Sequence, residues 1–223
     1  MRTIRYGTEP SQYIEVHGET GRGTIHLLHG GWWRAQRDLH LMDGLAADLV
    51  AAGWLVANLE YRRIDGDTGG WPQTLDDVRA GLAVVPAAAG KPAVAIGHSA
   101  GGHLALLAGA GLSGVVGLAP ITDVPRSAVE GLGEGAASLF LPEPDPAASP
   151  LTSVPLGVPQ LIVHGDGDVR VPVEHSRAYV AAAREAGDTV DYVELPGVDH
   201  FRVIDPADEP WQHVRNWLDA RFA

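Results

Sequence analysis

Short apolar runs alternate with longer amphipathic segments along most of this chain. Clusters of β-branched and other apolar residues between turn residues predict strands over 4–6, 13–17, 24–28, 55–59, 93–97, 115–119, 160–164 and 190–195. Apolar residues at helical spacing predict helices over 39–52, 74–85, 102–110, 173–186 and about 206–222. This alternation predicts an α/β fold, a mostly parallel central sheet with helices on both faces and an antiparallel departure at the N-terminal strand pair.

The alternation is interrupted once, by residues 120–159, which are rich in Pro, Gly, Ser and Ala. An interruption of about forty residues inside a compact domain is more often a functional cap or lid than a plain connection. We find no internal repeat and no linker, and 223 residues are enough to bury one sizeable core. The sequence therefore predicts a single domain over 1–223, with 120–159 as a candidate cap or lid.

One strand-to-helix junction carries a candidate nucleophile. The apolar run 93–97 leads into Gly97-His98-Ser99-Ala100-Gly101, and an Ala/Leu-rich helical run follows. Gly-x-Ser-x-Gly in this context is typical of a nucleophile elbow, a strained turn on which the serine hydroxyl stands clear of the backbone. A Gly/Ser turn without any catalytic role has the same local sequence. The interpretation of Ser99 as a nucleophile therefore depends on partners elsewhere in the chain.

A serine nucleophile needs a base, and the base needs a carboxylate that holds its tautomer. Among ten histidines, His200 is the best candidate base, because it follows the last strand at the carboxyl edge of the sheet; a surface loop histidine would fit the same position. Asp168, after the preceding strand, is the preferred acid. Asp166 is the second candidate acid, although it could bond the turn itself, and Asp123 is the third, although it could bond backbone donors in its own loop. The order Ser99, Asp168, His200 is the order found in α/β-hydrolases.

Acyl transfer also needs N–H donors directed at the developing oxyanion. The backbone N–H of Ala100, the residue after the serine, is one candidate. The turn His29-Gly30-Gly31-Trp32 ends the third strand, and the N–H groups of Gly31 and Trp32 are the other candidates. A glycine-rich turn that binds no ligand is the alternative, but it leaves the position of this motif at the strand's carboxyl end unexplained.

Several aromatic residues and histidines are candidates for substrate contacts. Trp32, Trp33 and Trp71 could line an apolar acyl pocket, with packing in the core or at its rim as the alternative. His98, next to the serine, is a tentative substrate contact. His103 borders the elbow, where packing or a hydrogen bond within the helix is the favoured role. No His-x-x-x-His pair with a nearby acid indicates a metal site, so we predict neither a metal nor an organic cofactor.

Composition restricts the kind of molecule that this protein is expected to bind. The formal charge is −12 and there is no basic cluster, which argues against a nucleic acid or an anionic membrane surface and favours a small-molecule substrate. The absence of cysteine excludes disulfides and thiolate catalysis. The N-terminus does not resemble a signal peptide and no apolar stretch has the length of a membrane span, so a cytoplasmic location is expected. The oligomeric state is left open.

With these motifs in place, the sequence resembles single-domain α/β-hydrolases of the esterase/lipase type. It is most similar to carboxylesterases related to kynurenine formamidase and to bacterial feruloyl-esterase-like hydrolases. The resemblance spans nearly the whole chain and is carried by Tyr6-Gly7, His29-Gly30-Gly31-Trp32-Trp33, Glu60-Tyr61-Arg62, Trp71-Pro72 before Asp77, Gly97-His98-Ser99-Ala100-Gly101, Ser149-Pro150, His164-Gly165 with Asp168, and Asp199-His200-Phe201.

The resemblance implies the nucleophile Ser99, the acid Asp168 in preference to Asp166, the base His200, and an oxyanion hole formed by Gly31, Trp32 and Ala100. The expected activity is a serine hydrolase that acts, through an acyl-enzyme, on a carboxylic ester or on an activated amide such as an N-formyl aryl amine. An acyltransferase, a peptidase or a lactone-processing enzyme would use the same triad, and a non-catalytic binding protein could use the same fold. Trp32 stands where hormone-sensitive-lipase relatives carry a third glycine, and the short chain suggests a reduced cap.

Overall fold

Eight strands form one sheet in this computed structural model, which describes residues 1–19 and 21–222. Along the chain they are β1 (Arg2–Arg5), β2 (Tyr13–His17), β3 (Thr24–Leu28), β4 (Leu55–Leu59), β5 (Ala93–His98), β6 (Gly114–Leu118), β7 (Gln160–Gly165) and β8 (Val190–Leu195). Their order across the sheet is β1-β2-β4-β3-β5-β6-β7-β8. The β1–β2 and β2–β4 pairs are antiparallel and the remaining pairs are parallel, which confirms the predicted mostly parallel sheet.

Seven α-helices are found among the described residues: α1 (Asp43–Ala51), α2 (Gln73–Val84), α3 (Ala100–Ala108), α4 (Val124–Val129), α5 (Ala136–Phe140), α6 (Glu174–Glu185) and α7 (Glu209–Phe222). The first predicted helix is divided, because a 3-10 turn over Leu39–Met42, capped by the Asp38 side chain, precedes α1. The last predicted helix begins later than expected. The Asp205 carboxylate accepts a hydrogen bond from the Ala207 N–H at 2.9 Å and stabilises a turn before α7.

The helices cover both faces of the sheet. Ile25 and Leu27 of β3 belong to the core cluster that includes residues of α1 and α7, whereas Leu28 belongs to the cluster that includes α2, α3 and α6. Because successive strand residues point to opposite faces, a strand covered on both sides is buried along its whole length. This explains why the central strands are mostly apolar and do not alternate with polar residues. In the part of the chain that the structure describes, no helix is both long enough and apolar enough to cross a membrane.

The segment 120–159 contains α4, α5 and three 3-10 turns, over Leu132–Gly135, Pro146–Ala148 and Pro150–Thr152. Its two ends are hydrogen-bonded to each other. The Leu151 N–H donates to the Thr122 carbonyl at 2.9 Å, and the Val124 N–H donates to Ser149 Oγ at 3.0 Å. The middle of the segment lies over the carboxyl edge of the sheet, where it forms part of the cavity wall described below.

Candidate active site

Ser99 is the single residue between the end of β5 and the start of α3. Its backbone has φ 55° and ψ −116°, a strained conformation for a residue with a Cβ. Two backbone hydrogen bonds stabilise this conformation. The Ser99 N–H donates to the Leu118 carbonyl at 2.9 Å, and the Ser99 carbonyl accepts from the His103 N–H at 3.0 Å. The sharp strand-to-helix turn expected from the sequence is therefore present.

Two glycines allow this turn to form. A Cβ on Gly97 would overlap the Gly101 carbonyl, and a Cβ on Gly101 would overlap the carbonyl of Leu28 at the end of β3. No side chain can be accommodated at either position without movement of the backbone. The glycines of the motif are thus required by the close approach of α3 to β5 and β3.

His200 and Asp168 meet in the loops that follow β8 and β7. His200 Nδ1 lies 2.5 Å from Asp168 Oδ2, and the other carboxylate oxygen accepts from the N–H groups of Arg170 at 2.8 Å and Val171 at 2.9 Å. Burial raises the pKa of the Asp168 carboxyl, but hydrogen bonds from His164 and His200, with the charge of His200, outweigh burial and hold this pKa well below its usual value. Asp168 is therefore an ionised acceptor that fixes the hydrogen on Nδ1 of His200.

A second histidine supports Asp168, in a role that the sequence pattern does not indicate. His164, at the end of β7, places Nε2 3.2 Å from Asp168 Oδ2 and 3.0 Å from the Val171 carbonyl. Its Nδ1 lies 2.7 Å from Ser176 Oγ on α6. The position of His164 directly before Gly165 was visible in the sequence, but ten histidines offered no means of selecting it.

The rival acids have other partners. Asp166 accepts a hydrogen bond from the Gly197 N–H at 2.6 Å and so ties the two loops together. Asp123 caps α4 by accepting from the Arg126 N–H at 3.0 Å. Both carboxylates therefore bond backbone donors, as the sequence alternatives anticipated, and Asp168 is the acid beside His200.

The glycine-rich loop after β3 lies against the serine. A Cβ on Gly30 would be 3.0 Å from the Ser99 Cβ. His29 Nδ1 lies 2.7 Å from the Gly30 carbonyl oxygen, which can only accept, so the ring donates to it. Because the C=O and N–H of a trans peptide point in opposite directions, the N–H of Gly31 is directed away from the His29 ring. Gly31 and Trp32 both line the cavity that contains Ser99.

Buried groups on the segment after β4 hold this loop. His29 Nε2 lies 3.0 Å from Glu60 Oε1, and the other oxygen of Glu60 accepts from the Leu39 N–H at 2.9 Å. The Tyr61 hydroxyl donates to the His29 carbonyl at 2.6 Å, and the two rings stack with centroids 4.3 Å apart. The Glu60-Tyr61 motif thus fixes the orientation of the loop that presents Gly31.

Ser99, His98 and His200 open onto a cavity of about 710 Å³. The rest of its wall comes from the segment after β3, from the loop after β4, from the segment 120–159 and from the loops of Asp168 and His200: Gly31, Trp32, Arg34, Gln36, Arg37, Leu41, Asp65, Gly131, Leu132, Gly133, Glu134, Val169, Arg170 and Phe201. The candidate nucleophile, the candidate base and the glycine-rich loop His29–Trp32, the candidate oxyanion loop, therefore share one cavity. Ala100 lies directly behind the serine as the first residue of α3.

The expected substrate contacts of Trp33 and Trp71 do not agree with the structure. Trp33 is 1% exposed and stacks on Phe140 with ring centroids 4.1 Å apart, because positive φ values at Trp32 and Trp33 turn its side chain into the core. Trp71 donates its indole N–H to Asp145 at 2.8 Å. Neither is part of the cavity wall, and core or rim packing, the alternative from the sequence, describes both.

His98 contacts the base loop. Its Nε2 lies 2.9 Å from the His200 carbonyl oxygen, and the two rings are 4.6 Å apart. Burial and the neighbouring His200 hold the pKa of His98 well below its ordinary value, so the ring is neutral and donates from Nε2. His103, expected to pack, contacts Trp33 edge-on and bonds the Ala148 carbonyl at 2.8 Å.

Comparisons with known proteins agree with this architecture. The prolyl oligopeptidase family model matches residues 73–222, and the BD-FAE model matches residues 13–115. Esterase LipC of Mycobacterium tuberculosis is 29% identical over 249 residues, an alignment that covers 92% of this chain and 61% of LipC. The chain thus spans less than two thirds of the length of this relative.

Two solved structures share the fold. A truncated carbohydrate esterase from gut microbiota has a TM-score of 0.83 at 18% identity, covering 99% of this chain and 96% of that one. A thermophilic esterase of Thermogutta terrifontis, solved with butyrate bound, has a TM-score of 0.80 at 19% identity, covering 98% and 92%. The predicted α/β-hydrolase fold of the esterase/lipase type is confirmed. This chain belongs to the prolyl oligopeptidase family of α/β-hydrolases.

Proposed function

We propose that this protein is a serine hydrolase that cleaves a carboxylic ester of a small substrate. One observation carries the proposal: Ser99, on its strained turn, opens onto the same cavity as His200, and His200 Nδ1 lies 2.5 Å from the buried Asp168. The similarity to an esterase of M. tuberculosis and to two solved esterases supports the same class of reaction.

In the proposed first half-reaction, His200 is the general base. Asp168 keeps the hydrogen on Nδ1, so that the Nε2 lone pair can take the proton of the Ser99 hydroxyl. The Ser99 oxygen then forms a bond to the ester carbonyl carbon. As the tetrahedral intermediate collapses, the imidazolium returns its proton to the leaving alcohol, and the ester C–O bond breaks to leave an acyl-serine.

The negative charge on the carbonyl oxygen would be stabilised by the backbone N–H groups of Gly31, Trp32 and Ala100. The bond from His29 to the Gly30 carbonyl supports this role for Gly31, because it directs that N–H away from the His29 ring. Removal of one such donor typically lowers kcat by about 10²- to 10³-fold.

In the second half-reaction, water gives a proton to His200 Nε2 while its oxygen forms a bond to the acyl carbon. The C–O bond to Ser99 then breaks, the imidazolium returns the proton to the Ser99 oxygen, and the carboxylic acid leaves. A cavity of about 710 Å³ is within the usual size of small-molecule sites. The Thermogutta esterase, whose structure holds butyrate, supports short acyl groups as the first substrates to examine.

The test is turnover of 4-nitrophenyl acetate and butyrate by wild type and by Ser99→Ala. We expect kcat/KM to fall by at least about 10⁴-fold, because the nucleophile is removed. Ser153→Ala, at an exposed serine, is the matched control and should keep wild-type activity. Wild-type activity in folded Ser99→Ala would show that the assignment is wrong.

A further inference from the structure

The positive charges of this protein are few, and most of them are paired. The chain has 16 Lys and Arg against 28 Asp and Glu. Most arginine side chains contact a carboxylate or a backbone carbonyl; over residues 1–19 and 21–222, the basic side chains that make neither contact are those of Arg2, Arg37, Lys91 and Arg170. Two of these four, Arg37 and Arg170, lie in the wall of the cavity that contains Ser99.

These two arginines belong to different loops of the cavity wall, Arg37 to the loop after β3 and Arg170 to the loop after β7. The Arg37 stem packs on the oxyanion loop, where a Cβ on Gly31 would lie 2.7 Å from the Arg37 Cβ. Arg170 belongs to the loop of Asp168, and its guanidinium lies 5.1 Å from the ring centroid of Phe201, the residue after the candidate base. A group bound at Ser99 would therefore share one cavity with both guanidinium groups.

The other charged groups of the wall leave a positive excess. Arg34 and Asp65 form an ion pair at 3.3 Å and offset one another. Glu134 is the remaining carboxylate of the wall, and its exposed side chain makes no ion pair or hydrogen bond with the described residues. The wall thus has two unpaired guanidinium groups and one unpaired carboxylate, on a chain whose formal charge is −12. The ionised Asp168 behind His200 is already bonded by two histidines and two backbone N–H groups. A local excess of this sign attracts anions to the cavity.

We propose that this cavity selects esters that carry a carboxylate, which Arg37 or Arg170 binds while Ser99 attacks the ester carbonyl. A guanidinium matches a carboxylate with two parallel hydrogen bonds, which gives both affinity and orientation. The inference rests on the proposed function and names its substrate class. The carboxylate of such an ester is carried either by the acyl chain or by the leaving group, and the experiment distinguishes these two positions.

Two pairs of substrates measure the preference. Mono-4-nitrophenyl glutarate against 4-nitrophenyl pentanoate places the charge on the acyl side, and 4-acetoxybenzoate against 4-acetoxybenzamide places it on the leaving group. Each kcat/KM is divided by the rate of hydroxide hydrolysis, which removes differences in intrinsic reactivity. At 50 mM NaCl we expect a preference of about tenfold for the anionic ester in one pair. The preference should fall at 500 mM NaCl, where screening is stronger.

Variants of the cavity wall locate the effect. Arg37→Gln or Arg170→Gln should lower kcat/KM about fivefold more for the preferred anionic ester than for its neutral partner, the range of an exposed ion pair. Glu134→Gln should change the ratio in the opposite direction, by about twofold to fivefold. Arg2→Gln removes the same charge from an unpaired arginine outside the cavity wall and should leave the ratio unchanged.

Equal rates for anionic and neutral esters at low salt in both pairs would overturn the inference. The inference would also be overturned if none of Arg37→Gln, Arg170→Gln and Glu134→Gln changed the ratio of kcat/KM for the anionic and neutral esters. The same holds if Arg2→Gln changed this ratio as much as the variants of the cavity wall do. In each of these cases, neutral-ester turnover that is lost in Ser99→Ala would leave the proposed function standing. Neutral-ester turnover that survives Ser99→Ala would overturn the proposed function itself.

Discussion

Replacement of Asp168 by Asn tests whether the carboxylate sets the tautomer of His200. Both oxygens of Asp168 are acceptors: Oδ1 accepts from the N–H groups of Arg170 and Val171, and Oδ2 lies 2.5 Å from His200 Nδ1. Asparagine has one acceptor oxygen and a donor NH₂ in place of the other. If the amide oxygen keeps the two backbone N–H groups, the NH₂ faces His200 and requires an acceptor at Nδ1. The imidazole hydrogen then moves to Nε2, which can no longer accept the Ser99 proton.

The opposite orientation of the amide is costly. It would place the NH₂ against two backbone donors, and each buried donor left unsatisfied costs about 1–3 kcal/mol. The unproductive tautomer is therefore favoured by about 2 kcal/mol or more. A wrong tautomer in a Ser-His-Asp triad lowers kcat by about 10⁴-fold, which corresponds to about 5.5 kcal/mol of transition-state stabilisation.

The assay is steady-state hydrolysis of 4-nitrophenyl acetate by wild type, Asp168→Asn and Asp166→Asn, with circular dichroism as the check on folding. Asp166→Asn is the matched control, because its single bond to the Gly197 N–H can be kept by an amide oxygen. We expect the control to stay within about threefold of wild type. A folded Asp168→Asn with more than about one tenth of wild-type kcat would show that the carboxylate does not set the tautomer of His200.

Three further predictions follow from buried groups. Burial lowers the pKa of His26 from 6.5 to about 4, so the unfolded chain binds this proton first and stability is lost as the pH falls from about 6.5 to 4. The free energy of unfolding, measured in urea at pH 7 and at pH 4, should therefore decrease by about 3 kcal/mol less in His26→Leu than in wild type. The same decrease in both proteins would contradict the burial of a neutral His26. Gly101→Ala should lower the unfolding free energy by about 3 kcal/mol, because its Cβ would overlap the Leu28 carbonyl; an unchanged urea midpoint would contradict that overlap. Glu60→Gln should lower kcat by about tenfold with little change in KM, because Glu60 holds the His29 ring that orients the oxyanion loop, and a change confined to KM would contradict this role.

The fold could be predicted well because its signals are local. The runs at 24–28 and 55–59 are mostly apolar and do not alternate with polar residues, which is typical of a strand covered on both faces, and the structure has strands with the same bounds. The first strand spans Arg2–Arg5 where 4–6 was predicted, and the segment 120–159 contains two helices that the pattern did not predict. The other errors lie at helix ends such as those of α1 and α7. There, side-chain caps at Asp38 and Asp205 stabilise turns that hydrophobic spacing does not reveal.

The candidate site was predictable only where chemistry and chain order restrict the choice. Ser99, Asp168 and His200 follow three strands of a parallel sheet, whose carboxyl ends meet at one edge, so the topology brings them together. Trp33 was not predictable, because an aromatic residue beside a glycine-rich loop suits a pocket and a core equally well. Its burial depends on how residues 136–140 fold back over the sheet, which periodicity does not encode.

The central claim, that Ser99 is the nucleophile, is tested most directly by covalent labelling. The folded protein is treated with a fluorophosphonate, and the modified peptide is identified by mass spectrometry. If Ser99 is the nucleophile, the folded protein carries one adduct, on Ser99, that is absent from Ser99→Ala and from protein unfolded in urea. This adduct forms far more slowly in His200→Ala because the base is missing. An adduct on another residue, or no adduct on folded wild-type protein, would contradict this claim.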